Sequence, residues 1–149
     1  MRKDSVFNQE DSYLNSWYNI TKGFGEFFKE KSANLKINPA EAMFLSKIYY
    51  KDGISQREIA HKLIVSEANI TKTFKKLEEK ELVYKTVDKE NNARRNLHLT
   101  EKGIETFEEC IDIFGEFDVI TFEGYSAEEK GRMEKQLKEI SDKSLKIIK

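Results

Sequence analysis

The chain has 149 residues, 36% charged and 38% apolar, which allows one domain with a thin core whose outer helices need a partner. One proline and seven glycines argue against a strand-rich fold, and a single cysteine, Cys110, excludes an intrachain disulfide framework. The net charge of −1 is unevenly spread: Ser55 to Leu99 carry ten Lys or Arg against seven Asp or Glu, and the remainder sixteen against twenty.

The start, Met1 to Val6, lacks an apolar signal core, and no run of about 18 apolar residues occurs, so a cytoplasmic protein without membrane contact is expected. Tyr13, Leu14, Trp17, Ile20, Phe24, Phe27 and Phe28 recur at spacings of three and four and predict a long amphipathic helix. Asn38-Pro39-Ala40-Glu41 has the form of a helix start, with Asn as cap, Pro at the first helical position and Glu three places on. That helix carries Ala42, Leu45 and Ile48 and stops before Asp52-Gly53, where glycine accepts a left-handed conformation. Ser55-Gln56-Arg57-Glu58 reads as a capping box opening a short helix through Ile59, Ala60 and Leu63. Ser66 caps the next helix, with Ile70, Phe74 and Leu77 as its buried stripe.

Val83–Val87 and Arg95–Leu99 are short strand candidates around the polar loop from Asp88 to Arg94. Thr100-Glu101-Lys102-Gly103 restarts a helix with apolar positions at Ile104, Phe107, Ile111, Phe114 and Phe117. Ser126 to Glu129 form a further capping box, followed by Met133, Leu137, Ile140 and Ile147 or Ile148. The predicted fold is mainly α with a small β-hairpin wing: a winged helix-turn-helix lobe plus a helical region.

Two short helices joined by a tight turn form an ordinary helical hairpin unless something else marks them. Three features point to nucleic acid. Ser66 caps a helix end whose free N–H groups and positive dipole favour phosphate. With Ile70, Phe74 and Leu77 in the core, Glu67, Ala68, Thr71, Lys72 and Lys75 project away from it, and Lys and Thr are residues that read base edges. The following hairpin carries Lys89, Asn91, Asn92, Arg94 and Arg95 at or near its tip, where a basic arm can enter a minor groove.

From Asn38 to Gly103 these residues resemble the MarR transcription regulators. The resemblance is carried by the Pro-led helix, Ser55-Gln-Arg-Glu-Ile-Ala-His-Lys-Leu63, Val65-Ser-Glu-Ala-Asn-Ile-Thr-Lys-Thr-Phe-Lys-Lys-Leu-Glu-Glu-Lys80, and Leu97-His-Leu-Thr-Glu-Lys-Gly103. It implies a single MarR-like domain over residues 1–149. Residues 38–100 would form the DNA-binding lobe, and 8–34 with 101–149 a helical dimerisation region. It further implies a homodimer on a pseudo-palindromic double-stranded operator, switched by small aromatic ligands or oxidants. Carried over, Thr71, Lys72 and Lys75 form the base-reading face, Lys76 contacts the DNA backbone, and Ser55 and Gln56 contact phosphate. Two departures stand out. Glu81 replaces the usual Gly between recognition helix and wing. Asn91-Asn92-Ala93 stand where the family has Asp-x-Arg, with Arg94 and Arg95 following; Arg94 is the expected minor-groove residue.

Other chemistry is weaker. Cys110 is far from the start of the first helix, where the oxidant-sensing branch of the family keeps its thiol, and is expected to be inert and partly buried. His61 and His98 with one cysteine make no familiar metal cluster, so no metal or cofactor is expected. Glu78-Glu79 and Glu108-Glu109 read as helix surface, and no nucleophile or phosphate-loop motif is present, so the protein is expected not to be an enzyme. The aromatic residues supply core and dimer packing, and Trp17, Tyr18, Phe44 and Tyr49 are candidates to line an effector pocket. The expected function is a homodimeric, sequence-specific DNA-binding repressor released by a small aromatic ligand. The alternative is a winged-helix protein-interaction module, suggested by the near-neutral charge, Glu67 and the altered wing.

Overall fold

The structure, a computed structural model, describes residues 12–148. Its elements are α1 (Tyr13–Lys31), α2 (Pro39–Tyr50), α3 (Gln56–Leu63), α4 (Glu67–Glu79), β1 (Val83–Val87), β2 (Arg95–Leu99), α5 (Glu101–Thr121) and α6 (Ala127–Leu145). This is the order read from the sequence; positions 8–11 of the anticipated first helical region lie outside the described residues. The chain forms two compact units, one ending at Phe114 and one beginning at Gly115, so the division falls within α5.

In the first unit, β1 and β2 form an antiparallel hairpin with Val83 opposite Leu99 and Val87 opposite Arg95. A third segment lies along the outer edge of β2. The Gly53 N–H donates to the Leu97 carbonyl at 2.8 Å, the Leu97 N–H donates to the Ile54 carbonyl at 2.9 Å, and Ser55 bridges Asn96. Gly53 takes φ +83°, which allows the chain to turn from α2 into this edge.

The caps explain where the helices begin. Asn38 and Glu41 form a complete box: the Asn38 side chain accepts the Glu41 N–H at 2.8 Å, and the Glu41 carboxylate accepts the Asn38 N–H at 3.0 Å. Ser126 and Glu129 do the same for α6. The box expected at Ser55 is only half formed. Ser55 Oγ accepts the Glu58 N–H at 3.1 Å, but the Glu58 carboxylate turns to Lys51 at 2.5 Å and Arg94 at 3.0 Å, because two cations outcompete one backbone N–H.

The core joins Phe28 of α1, Phe44, Leu45 and Ile48 of α2, Ile59 of α3, the Ile70, Phe74 and Leu77 stripe of α4, Leu97 of β2 and Phe107 of α5. Of the apolar stripe expected on α1 only Phe28 is buried; Tyr13, Trp17 and Ile20 are exposed in this chain. The stripe of α5 also differs. Gly103, Thr106, Phe107, Cys110 and Ile113 are buried while Ile104 and Ile111 are exposed, so the buried face is rotated from the one anticipated.

In the second unit, Lys130 pairs with Asp118 at 2.5 Å and lies 5.0 Å from the centre of the Phe122 ring. The bond to Asp118 holds the Lys130 amine protonated above its ordinary range. No described residue of α6 is buried.

Candidate nucleic-acid interface

Helix α4 is fixed by its buried stripe, and its opposite face is therefore determined. Ser66 caps it, its Oγ accepting the Asn69 N–H at 3.0 Å. Glu67, Ala68, Thr71, Lys72, Lys75 and Lys76 are all exposed. The Thr71 hydroxyl donates back to the Glu67 carbonyl at 3.0 Å, which orients the side chain and leaves the hydroxyl oxygen able to accept. The sharp turn from α3 into α4 is made at Ile64, in the left-handed region at φ +57°. At the far end, Lys80 donates to the Lys36 carbonyl at 2.6 Å and pairs with buried Glu41 at 3.3 Å. The end of α4 is thus tied to the start of α2.

A groove of about 770 Å³ runs between α3, the start of α4 and the wing. Ser55, Gln56, Glu67, Asn91, Arg94 and Arg95, six of the residues expected to contact DNA, line it. Arg57, His61 and Lys62 line it too and were not singled out from the sequence. Their signal was available: with Ile59, Ala60 and Leu63 inward, positions 57, 61 and 62 fall on the outer face of α3. Ser55 is 7% exposed, and its hydroxyl is occupied by the α3 cap. Ala68, Thr71, Lys72, Lys75, Lys76 and Lys89 do not line this groove but are exposed beside it on α4 and on the wing loop.

The wing loop is held by acidic and amide side chains. Asp88 accepts the Glu90 N–H at 2.8 Å, the Asn91 N–H at 3.1 Å and the Asn96 side-chain amide at 3.2 Å. Those bonds, the Glu90 N–H first, hold its carboxyl below the usual range. Glu58 is likewise lowered, chiefly by the hydrogen bond from Lys51. Arg95 Nη1 donates to the Asn92 carbonyl at 2.5 Å. Arg94 turns back to α3, and Asn92 is exposed at the tip. At the wing's base His98 is hydrogen-bonded on one ring nitrogen to Asp52 at 2.8 Å and on the other to Thr86 at 2.9 Å, with Tyr84 stacked on it.

The four candidate effector residues are placed differently from one another. Phe44 is 1% exposed and belongs to the core. Tyr49 donates to Glu108 at 3.2 Å, which raises its pKa, and packs on Phe107. Trp17 meets Tyr13 edge to face. Only Tyr18 lines the cleft of about 710 Å³ beside α1, with Phe28, Ile37 and Pro39 among its other walls. Cys110 is fully buried rather than partly so, and burial pushes its thiol up to about 11. Among the described residues no group of His, Cys, Asp and Glu is arranged to hold a metal ion, and no helix is long and apolar enough to cross a membrane.

A model of the MarR family matches residues 37–95, the span that contains the whole helix-turn-helix and most of the wing. The chain carries a MarR-family domain. Solved structures agree over almost its full length. The DNA complex of S. aureus MepR is 26% identical with a TM-score of 0.80, the match covering 90% of this chain and 99% of that one. A MarR protein from Peptoclostridium difficile is 25% identical with a TM-score of 0.83, covering 97% and 94%. The PcaV regulator of Streptomyces coelicolor, solved with its natural ligand, shares only the fold, at 13% identity and a TM-score of 0.77 over 95% and 98%. No curated protein matches the chain. The family match and the DNA-complex neighbour support a DNA-binding transcription regulator.

Proposed function

We propose that the protein is a homodimeric repressor that reads a pseudo-palindromic operator with α4 and is released by a small aromatic ligand. The observation that carries the reading is the outer face of α4. Its inner stripe is locked in the core, so Thr71, Lys72 and Lys75 stand outward beside a capped helix start. In a dimer, two such helices about 34 Å apart would enter successive major grooves. Exposed Tyr13, Trp17 and Ile20 on α1, Val119 and Ile120 on α5, and Ile147 near the end of the chain support a second copy as the partner that covers them. The apolar cleft walled by Tyr18, Phe28 and Ile37 supports a place for an aromatic effector. Ser55 and Gln56 at the groove, with Arg57 and Lys62, would meet the phosphate backbone.

The test is an anisotropy titration with a duplex from upstream of the protein's own gene against a scrambled duplex. Specific binding is expected to weaken at least about fivefold in each of Lys72→Ala and Lys75→Ala. It should also fall steeply with salt as counterions are released. Equal affinity for both duplexes, unmoved by these substitutions, would sink the proposal. Negligible DNA affinity at any salt would favour a protein-binding module instead.

A further inference from the structure

The arginine best placed by sequence to enter the minor groove is committed elsewhere. Resting on the reading that this face engages DNA, we propose that Arg94 is a positioning residue. It latches the wing to α3 through Glu58 and leaves Lys89 and Arg95 as the wing's DNA-facing cations. The Arg94 guanidinium donates to Glu58 at 3.0 Å and to Asn96 at 3.1 Å and lies 3.7 Å from Asp88. These groups come from α3, β2 and the end of β1, so one planar fork spans three segments. Glu58 is held in turn, its own N–H on Ser55 and its second oxygen on Lys51 at the end of α2.

The position of the latch gives it a purpose. Backbone pairing between the Gly53–Ser55 edge and β2 stops at Asn96. Beyond it, among the described residues, the hairpin has no main-chain attachment to the helices, and Arg94 continues the seam two residues further toward the tip. Withdrawing the side chain into a groove would leave the Glu58 and Asp88 carboxylates beside a phosphate backbone, with only Lys51 on Glu58 to offset them. Like charges close together oppose that move. Lys89 is exposed on the loop, and Arg95 is anchored to the Asn92 carbonyl at the tip itself.

The two roles for Arg94 give effects of opposite sign. A latch predicts that Glu58→Gln and Arg94→Met each weaken binding to the upstream duplex about two- to fivefold, as expected of a half-exposed ion pair. The double variant should be no weaker than the worse single, because the two residues act as a unit. The slope of log affinity against log salt should stay at the parent value in Arg94→Met and fall by about one per wing in Lys89→Ala. A groove-reading Arg94 predicts instead that Glu58→Gln frees the guanidinium and tightens binding, and that Arg94→Met flattens the slope. Either result, or no change in any variant, overturns the proposal. Amide exchange of Asp88 and Leu97 in the free protein reads the latch without DNA. It should quicken in both variants by more than any loss of global stability read from melting accounts for, and unchanged exchange counts against the latch. A parent protein that binds no DNA specifically would overturn the interface reading, and exchange would still decide the latch.

Discussion

Gly103 lies against the carbonyl of Leu82 so closely that a Cβ there would stand 2.0 Å from the Leu82 oxygen. That carbonyl cannot retreat, because it also accepts the Thr100 N–H at 3.0 Å. Thr100 closes the junction by donating its hydroxyl to the Glu81 carbonyl and accepting the Gly103 N–H. The Leu-Thr-Glu-Lys-Gly segment is thus the joint at which the wing hands over to α5. Gly103→Ala is expected to destabilise the fold by on the order of 3 kcal/mol, since backbone rather than a flexible side chain must move. Urea unfolding measures it, and a variant within about 0.5 kcal/mol of the parent would show the joint to be slack.

How much of this was legible depends on how local each cause is. The strands Val83–Val87 and Arg95–Leu99 and the caps at Asn38, Ser66 and Ser126 follow from neighbours a few residues apart, and they lie where the sequence placed them. The half-formed box at Ser55 and the direction of Arg94 meet at Glu58, whose carboxylate is taken by Lys51 from the end of the preceding helix and by Arg94, 36 residues on in the chain, pairings that the capping pattern does not encode. The rotated face of α5 has a similar origin. The helix is apolar on more than one side, and only the packing partners decide that Cys110 and Ile113 go in while Ile104 and Ile111 stay out.

Glu81 illustrates a departure with a measurable consequence. A side chain other than glycine in the left-handed region is disfavoured by about 1–2 kcal/mol, and Glu81 sits there at φ +60° with its side chain exposed. Glycine would relieve the strain but adds freedom to the unfolded chain. The expected net gain for Glu81→Gly is about 0.5–1 kcal/mol, with no gain for Glu81→Ala. A lower urea midpoint for the glycine variant than for the parent would contradict this account.

The Glu58 carboxyl is held below its ordinary range, so folding favours its charged form. The unfolded chain binds the proton first, at about pH 4.3. The stabilisation is therefore complete above that value and is lost as pH falls through the lower folded value. Melting temperatures of the parent and of Glu58→Gln should differ at neutral pH and converge on acidification below about pH 4. A gap that stays constant down to about pH 3 would mean that the charge on Glu58 contributes nothing.

Cys110 offers the opposite sign. Its thiol is fully buried in α5 beside the core and is pushed up to about 11. An unfolded cysteine ionises near 8.5, so the folded state favours the neutral thiol. Its contribution to stability is complete below about pH 8.5 and declines as pH rises toward the folded value. At pH 8 the folded protein therefore presents neither an exposed sulfur nor a thiolate, and the nucleophile in thiol chemistry is the thiolate. Labelling by a disulfide reagent should proceed only as fast as the chain opens, accelerating in urea in step with unfolding. Peroxide at levels that oxidise free cysteine should leave DNA affinity unchanged. Rapid stoichiometric labelling of the folded protein, or release of DNA by peroxide that is abolished in Cys110→Ala, would instead make this thiol a redox sensor.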